Sequence, residues 1–207
     1  MSGCGCEVEI KDKEQRRVLI LLLAINGVMF VAEMIAGIVG DSTALIADSL
    51  DMLADATVYA IGLYAVGRSL AAKAKAAHIS GIFQVMLGLG VLFDIVRRFI
   101  VGSEPESLLM IAVGAVALIA NTLCLRLIYK HRQGEVHMRA SWIFSKNDVI
   151  ANLGVIIGGV LVAWLASPWP DLIIGLIIAV IVTHGGVRII KEANNERNSN
   201  EGGTCSG

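Results

Sequence analysis

Six stretches of the chain are apolar enough and long enough to cross a bilayer: residues 18–39, 44–66, 79–96, 108–128, 149–166 and 172–190. A helical span needs about 20 such residues. Turns carrying Gly, Ser or Pro separate spans at 40–43, 102–107 and 167–171, while the connections at 68–77 and 129–140 are longer and basic. The pattern predicts an all-α integral membrane protein, a bundle of six transmembrane helices. It divides the chain into a tail at 1–17, a helical domain at 18–191 and a second tail at 192–207. The second tail, rich in Asn, Glu, Gly and Ser, is expected to be disordered.

Against this apolar background the polar positions inside the spans stand out. Asp48, Asp51 and Asp55 lie in the second span. At 100° per residue Asp51 falls about 60° and Asp55 about 20° from Asp48 around the helix axis, so the three carboxylates form one stripe. A carboxylate at bilayer depth is costly unless it is protonated, paired or metal-bound, which makes it a functional-site hypothesis. The first span carries Asn26 and Glu33 at i, i+7, with Phe30 between them and Gly37 beyond. Asn26 reads as an amide bonding across helices, and Glu33 as an acid facing a cavity or a partner. In the fifth helix Ser141, Ser145, Asp148 and Asn152 make a narrow polar stripe whose only charge is Asp148. Gly154 and Gly158 follow at a spacing that lets another helix approach closely.

Two carboxylates a turn apart on one helix and a third on another suit an oxygen-rich divalent-cation site. Asp51 and Asp55, at i, i+4, can converge on one ion, with Asp148 added from across an interface. Loss of the metal from such a set favours proton uptake, the physical basis of metal/proton exchange. Other candidates are weaker. Asp94 has Arg98 one turn on and reads as an ion pair. His78, Gln84, Asn121 and His184 read as satisfied polar contacts, and His131 and His137 are too sparse for a metal sponge. Cys4 and Cys6 form a C-x-C pair that could capture soft metals, with Cys205 as a third thiolate.

Composition agrees with the membrane reading. Of 207 residues 56% are hydrophobic and 17% charged, and the mean hydropathy is +0.72, too apolar for a soluble globule of this length. All but Arg97 and Arg98 of the 17 Lys and Arg residues fall on the side of the termini, so both termini are expected to be cytoplasmic. The net charge of −1 carries no information on partners, because charges are sorted by side, and no nucleic-acid patch is present. The first apolar segment has no small-residue cleavage site and reads as a retained helix. With cytosolic tails, Cys4, Cys6 and Cys205 read as thiols, as does Cys124 in the fourth helix.

The run INGVMFVAEMIAGIVGDSTALIADSLDMLAD resembles the first two helices of the cation diffusion facilitators, with Asn26, Phe30, Glu33, Gly37, Ser42, Ala44, Leu45, Asp48, Asp51 and Asp55 in register. Asn121, VHMRASWIFSKNDVIANLGVIIGG and PDLIIGLIIAVIV extend the resemblance to about residues 18–192. The resemblance implies a six-helix metal/proton antiporter of the bacterial cytoplasmic (inner) membrane, acting as a homodimer. Its transport-site pair on the second helix falls on Asp51 and Asp55, leaving Asp48 adjacent. Its fifth-helix histidine-aspartate pair falls on Phe144 and Asp148, so the histidine is absent. Ser145, Asn147, Asn152 or a water is then expected as fourth ligand, with Glu33 and Asn26 lining the path. The sequence ends about 16 residues beyond the sixth helix, so a short member without the usual C-terminal cytoplasmic domain is expected.

The expected function is therefore export of a divalent transition metal in exchange for protons, with no enzymatic activity. Zinc stands first among the cargoes, and an oxygen-dominated site also admits cadmium, cobalt, manganese or iron. A non-transporting metal sensor or scaffold is the alternative. An intramembrane aspartyl protease is disfavoured, since neither a Tyr-Asp pair nor a Gly-x-Gly-Asp motif occurs.

Overall fold

Each of the three prolines, Pro105, Pro168 and Pro170, lies in a turn or in the first turn of a helix, where a missing N–H costs nothing. Between the breakers the chain folds as six helices: α1 (Cys4–Val39), α2 (Thr43–Ala65), α3 (Leu70–Val101), α4 (Ser107–Tyr129), α5 (Val136–Leu165) and α6 (Trp169–Gly202). The structure is a computed structural model that describes residues 4–65, 70–130 and 136–202, without the side chains of 4–13, 15, 65, 70–74, 76, 136–141, 143–144 and 196–202. His131 and Cys205, and the side chains of Cys4, Cys6, His137, Ser141 and Phe144, lie outside that description.

Among the described residues, five segments are long and apolar enough to cross a membrane: Arg16–Val39, Ala77–Val101, Ser107–Tyr129, Ser145–Leu165 and Trp169–Asn195. The remaining helix, α2, is 23 residues long but carries the three aspartates. Large apolar side chains point outward, among them Val28 and Ile38 on α1, Phe93 and Ile100 on α3, Ile119 on α4, Val160 on α5 and Val180 on α6. Such a surface belongs in lipid, where every helix satisfies its own backbone. The protein is an all-helical integral membrane bundle.

Four helices run further than the sequence reading expected: α1 begins at Cys4, inside the stretch read as a tail. α6 continues to Gly202 through residues read as a disordered tail, α3 begins at Leu70 and α5 at Val136 inside segments read as loops. Composition permits the α3 and α6 extensions. Leu70–Ala77 is made of Leu, Ala, Lys and Ser-free helix formers, and the stretch after Lys191 has no Gly or Pro before Gly202. Arg188 and Glu192 add an i, i+4 pair at 2.9 Å.

Packing sorts the six helices into two groups. α1, α2, α5 and α4 form a closed ring of neighbours, and α3 pairs with α6 outside it, leaning on α2 and, through α6, on α5. α3 and α6 approach to backbone contact. A Cβ on Gly81 would sit 2.8 Å from the Gly186 carbonyl, and one on Gly186 2.8 Å from that of Gly81. Gly154 and Gly158 face Ile174 of α6, where a Cβ on Gly158 would lie 3.2 Å from Cγ1.

The three short turns lie at one end of the bundle and the chain termini at the other. At the turn end Leu45, Val91, Met110, Val155 and Ile178 make a buried cluster with small Ala36, Ala44 and Ala47. At the terminal end Leu19, Leu22, Tyr59, Cys124 and Ile128 make a second. Between them Met29, Met52 and Ala117 fill the contact of α1, α2 and α4. These clusters leave the opposite face of α2, toward α3, α5 and α6, for polar groups.

Candidate metal centre

The i, i+4 spacing on α2 sends Asp51 and Asp55 to the face that meets α5, and the polar stripe of α5 sends Asp148 to meet them. One carboxylate oxygen from each of Asp51, Asp55 and Asp148 lies within 4.8 Å of the other two. Their residues are 7%, 2% and 3% exposed respectively, so water does little to screen the mutual repulsion. Tyr59, one turn beyond Asp55, donates its hydroxyl to Asp55 Oδ2 at 3.1 Å. With that proton committed, the Ser145 hydroxyl is the donor in the 3.3 Å contact between Ser145 Oγ and Tyr59 Oη. Asn152 donates to the Asp148 carbonyl at 2.7 Å, while Asp148 Oδ2 and Asn152 Oδ1 have no protein partner. Three converging carboxylates with one hydroxyl donor among them are short of positive charge, and a divalent cation fits that deficit.

A cavity of about 280 Å³ reaches the three aspartates and is lined also by Gln84, Asn147, Val180, Ile181, His184, Gly185 and Arg188. Its further residues, His184 to Arg188 on α6 and Gln84 on α3, belong to the terminal halves of their helices, and Asn147, His184 and Arg188 are exposed. The site therefore communicates with the terminal end. Toward the turn end the apolar cluster around Leu45, Met110 and Val155 closes it.

The sequence stripe of three aspartates divides in the structure. Asp48, fully buried, turns away from the triad and faces Glu33 of α1, also fully buried. The two carboxyl groups stand within hydrogen-bonding reach of each other, yet no donor reaches any of their four oxygens. One shared proton satisfies such a pair. Asn26 does bond across helices, its amide donating to Cys124 Sγ of α4 at 3.9 Å, and it also donates to Leu22 O of its own helix at 2.9 Å. Asn121 points its amide at Met52 Sδ, 3.7 Å away. Asp94 does pair with Arg98, at 2.6 Å.

Four residues carry more than the sequence reading gave them. Tyr59 continues the i, i+4 series of Asp51 and Asp55, a signal that was present but hidden by its aromatic character. Gln84 and His184, read as satisfied polar contacts, line the cavity instead, and Gln84 Oε1 has no partner. Asp171 does not merely occupy a turn. It accepts from Ser42 Oγ at 2.5 Å, Thr43 N at 2.7 Å and Ala44 N at 3.0 Å, capping α2 from the start of α6. Beside it Arg98, 4% exposed, binds both the carboxylate and the carbonyl of Asp41, and Glu104 N donates to Asp41 Oδ2 at 2.9 Å. This network ties the α1–α2 turn to α3, to the α3–α4 turn and to α6.

Residues 19–195 match the model of the cation efflux transmembrane domain. The chain belongs to the cation efflux family. This cation efflux chain is 25% identical over 199 residues to the zinc transporter ZitB of Escherichia coli (strain K12), covering 90% of the chain and 63% of that protein. It is 25% identical over 178 residues to the metal cation efflux system protein CzcD of Cupriavidus metallidurans, covering 80% and 56%. Against the cadmium, cobalt and zinc/H(+)-K(+) antiporter of Bacillus subtilis (strain 168) the identity is 23% over 192 residues, covering 84% and 60%. The chain thus spans about three fifths of the length of these curated relatives. The matched domain, its bacterial relatives and the five apolar helices make this cation efflux protein an integral protein of the inner membrane.

Proposed function

We propose that the protein exports a divalent transition metal from the cytoplasm in exchange for protons, with Asp51, Asp55 and Asp148 as the transport site. The observation that carries this reading is the convergence of the three carboxylates, from two helices, to within 4.8 Å at the foot of a cavity. The positive-inside distribution of Lys and Arg puts the terminal end in the cytoplasm, so the cavity is the route by which the ion arrives. Zinc is the first cargo to test, since the relatives named above include a zinc transporter and a cadmium, cobalt and zinc antiporter. Position 144 is Phe and offers no ligand atom, which leaves an oxygen-dominated set that also admits cadmium, cobalt, manganese or iron. Asn147, on the cavity wall, or a water supplies the fourth ligand; Ser145 is engaged with Tyr59.

The proton half of the exchange rests on two pairs of acids. As the cation leaves, Asp55 and Asp148 are left face to face, and a proton between them restores one of the two positive charges lost. Glu33 and Asp48, one turn nearer the turn end, offer the next place for a proton. By the family resemblance the working unit is a homodimer. Purified protein in liposomes tests the reading through metal-driven proton flux. Asp51→Ala and Asp148→Ala are each expected to abolish it, and flux surviving in both variants sinks the assignment.

A further inference from the structure

The cavity beneath the triad has donors that the triad does not use. Its wall opposite α5 comes from the α3–α6 pair, where Gln84, His184 and Arg188 line it. Gln84 is 3% exposed and its Oε1 has no partner. A desolvated amide oxygen left without a donor is costly unless something visits it. The fold fixes the Gln84 amide firmly: Gly185 lies so close that a Cβ there would come 3.1 Å from Nε2. His184, the neighbour of Gly185, borders the same cavity and is solvent-exposed. Arg188 would oppose a cation at the mouth, but its Nε is held by Glu192 Oε1 at 2.9 Å, so the rim carries a neutralised pair.

Resting on the export reading above, we propose that Gln84 and His184 form an intake station, a second cation site that takes a partly dehydrated divalent transition metal from the cytoplasmic side and passes it to Asp51, Asp55 and Asp148. The chemistry of the pair sets its selectivity. An amide oxygen suits any divalent ion, whereas an imidazole nitrogen favours zinc, cobalt and cadmium over magnesium, calcium and manganese. The three aspartates alone provide no such filter. The nitrogen ligand that position 144 lacks thus stands on α6, one stage earlier on the route.

Zinc and manganese uptake into proteoliposomes, measured as initial rates against free metal, separates the possibilities. His184→Ala and Gln84→Ala are expected to raise KM for zinc about tenfold, with the maximal rate within about twofold, and to erode the preference for zinc over manganese. Asp51→Ala abolishes flux of both metals. An unchanged zinc KM and preference in the double variant, with Asp51→Ala inactive, overturns the station and leaves the transport site standing. Flux surviving Asp51→Ala overturns the transport site and the station with it. Cobalt titration in detergent gives a second readout free of turnover. The Asp51→Ala/Asp148→Ala protein should retain one weak cobalt ion with a nitrogen-ligated visible spectrum, lost on adding His184→Ala, and a spectrum indifferent to His184 refutes the proposal.

Discussion

The start and the middle of α2 use the same residue type in opposite ways. At its N-terminus Asp171 accepts three donors and Asp41 is held by Arg98 and by the Glu104 amide, so every carboxylate there repays its desolvation with hydrogen bonds. One to three turns along, Asp48 and Glu33 have no donor outside their own pair and Asp148 Oδ2 has no protein partner. Folding alone would remove such groups, because an apolar replacement of an unsatisfied buried charge is neutral or stabilising. The contrast separates a latch that holds the fold from a site that the fold tolerates.

Substitutions can break that contrast in order of expected effect. Asp55→Asn should reduce metal flux by about 100-fold or more while leaving the detergent melting temperature unchanged or higher; a lower temperature would move Asp55 to the structural side. Arg98→Ala takes the cation from a latch whose carboxylates are partly exposed, and is expected to cost about 2–3 kcal/mol of stability. Asp171→Ala strips the cap from α2 and should cost about 1–2 kcal/mol. For both, thermal unfolding against wild type is the check, and intact stability would show that the turn end is not a latch. Glu33→Gln gives Asp48 a permanent N–H donor and should leave stability unchanged or raise it by up to about 1 kcal/mol while slowing proton-coupled exchange. A clear loss of stability would class Glu33 with Asp171. Metal itself sharpens the comparison: zinc at about 100 times its Kd should stabilise wild type by about 2.7 kcal/mol and Asp148→Ala hardly at all.

Much of this was legible in the sequence because helical period is a local property. Asp51, Asp55 and Asp148 are named by spacing and by the cost of charge in lipid, and six helices by apolar length. What was not legible depends on which helices meet. Asp171 caps residues 127 and 128 positions away, and no pattern near Asp171 announces them. Gln84 and His184 belong to no acidic stripe on α3 or α6, so each looked solitary until packing put both on one cavity wall. Asn26 was legible as a cross-helix amide, but that its partner is the Cys124 thiol of α4, with the Leu22 carbonyl one turn back as a second acceptor, was not. The helix ends were misjudged because they leave the bilayer, where Ala, Lys, Glu and Arg sustain a helix without any apolar signal.

The aspartates of α2 also bear on how the protein is made. Each costs about 2.5–3.5 kcal/mol near the centre of a helix entering a membrane, and α2 carries three. α2 cannot be expected to partition into lipid by itself, whereas α1 can, and the two are joined by a tight turn and packed along their lengths. Insertion of α1 and α2 as a hairpin, with Glu33 already facing Asp48, shields the acids from lipid during synthesis. The order of helices along the chain places an apolar escort directly before its acidic client.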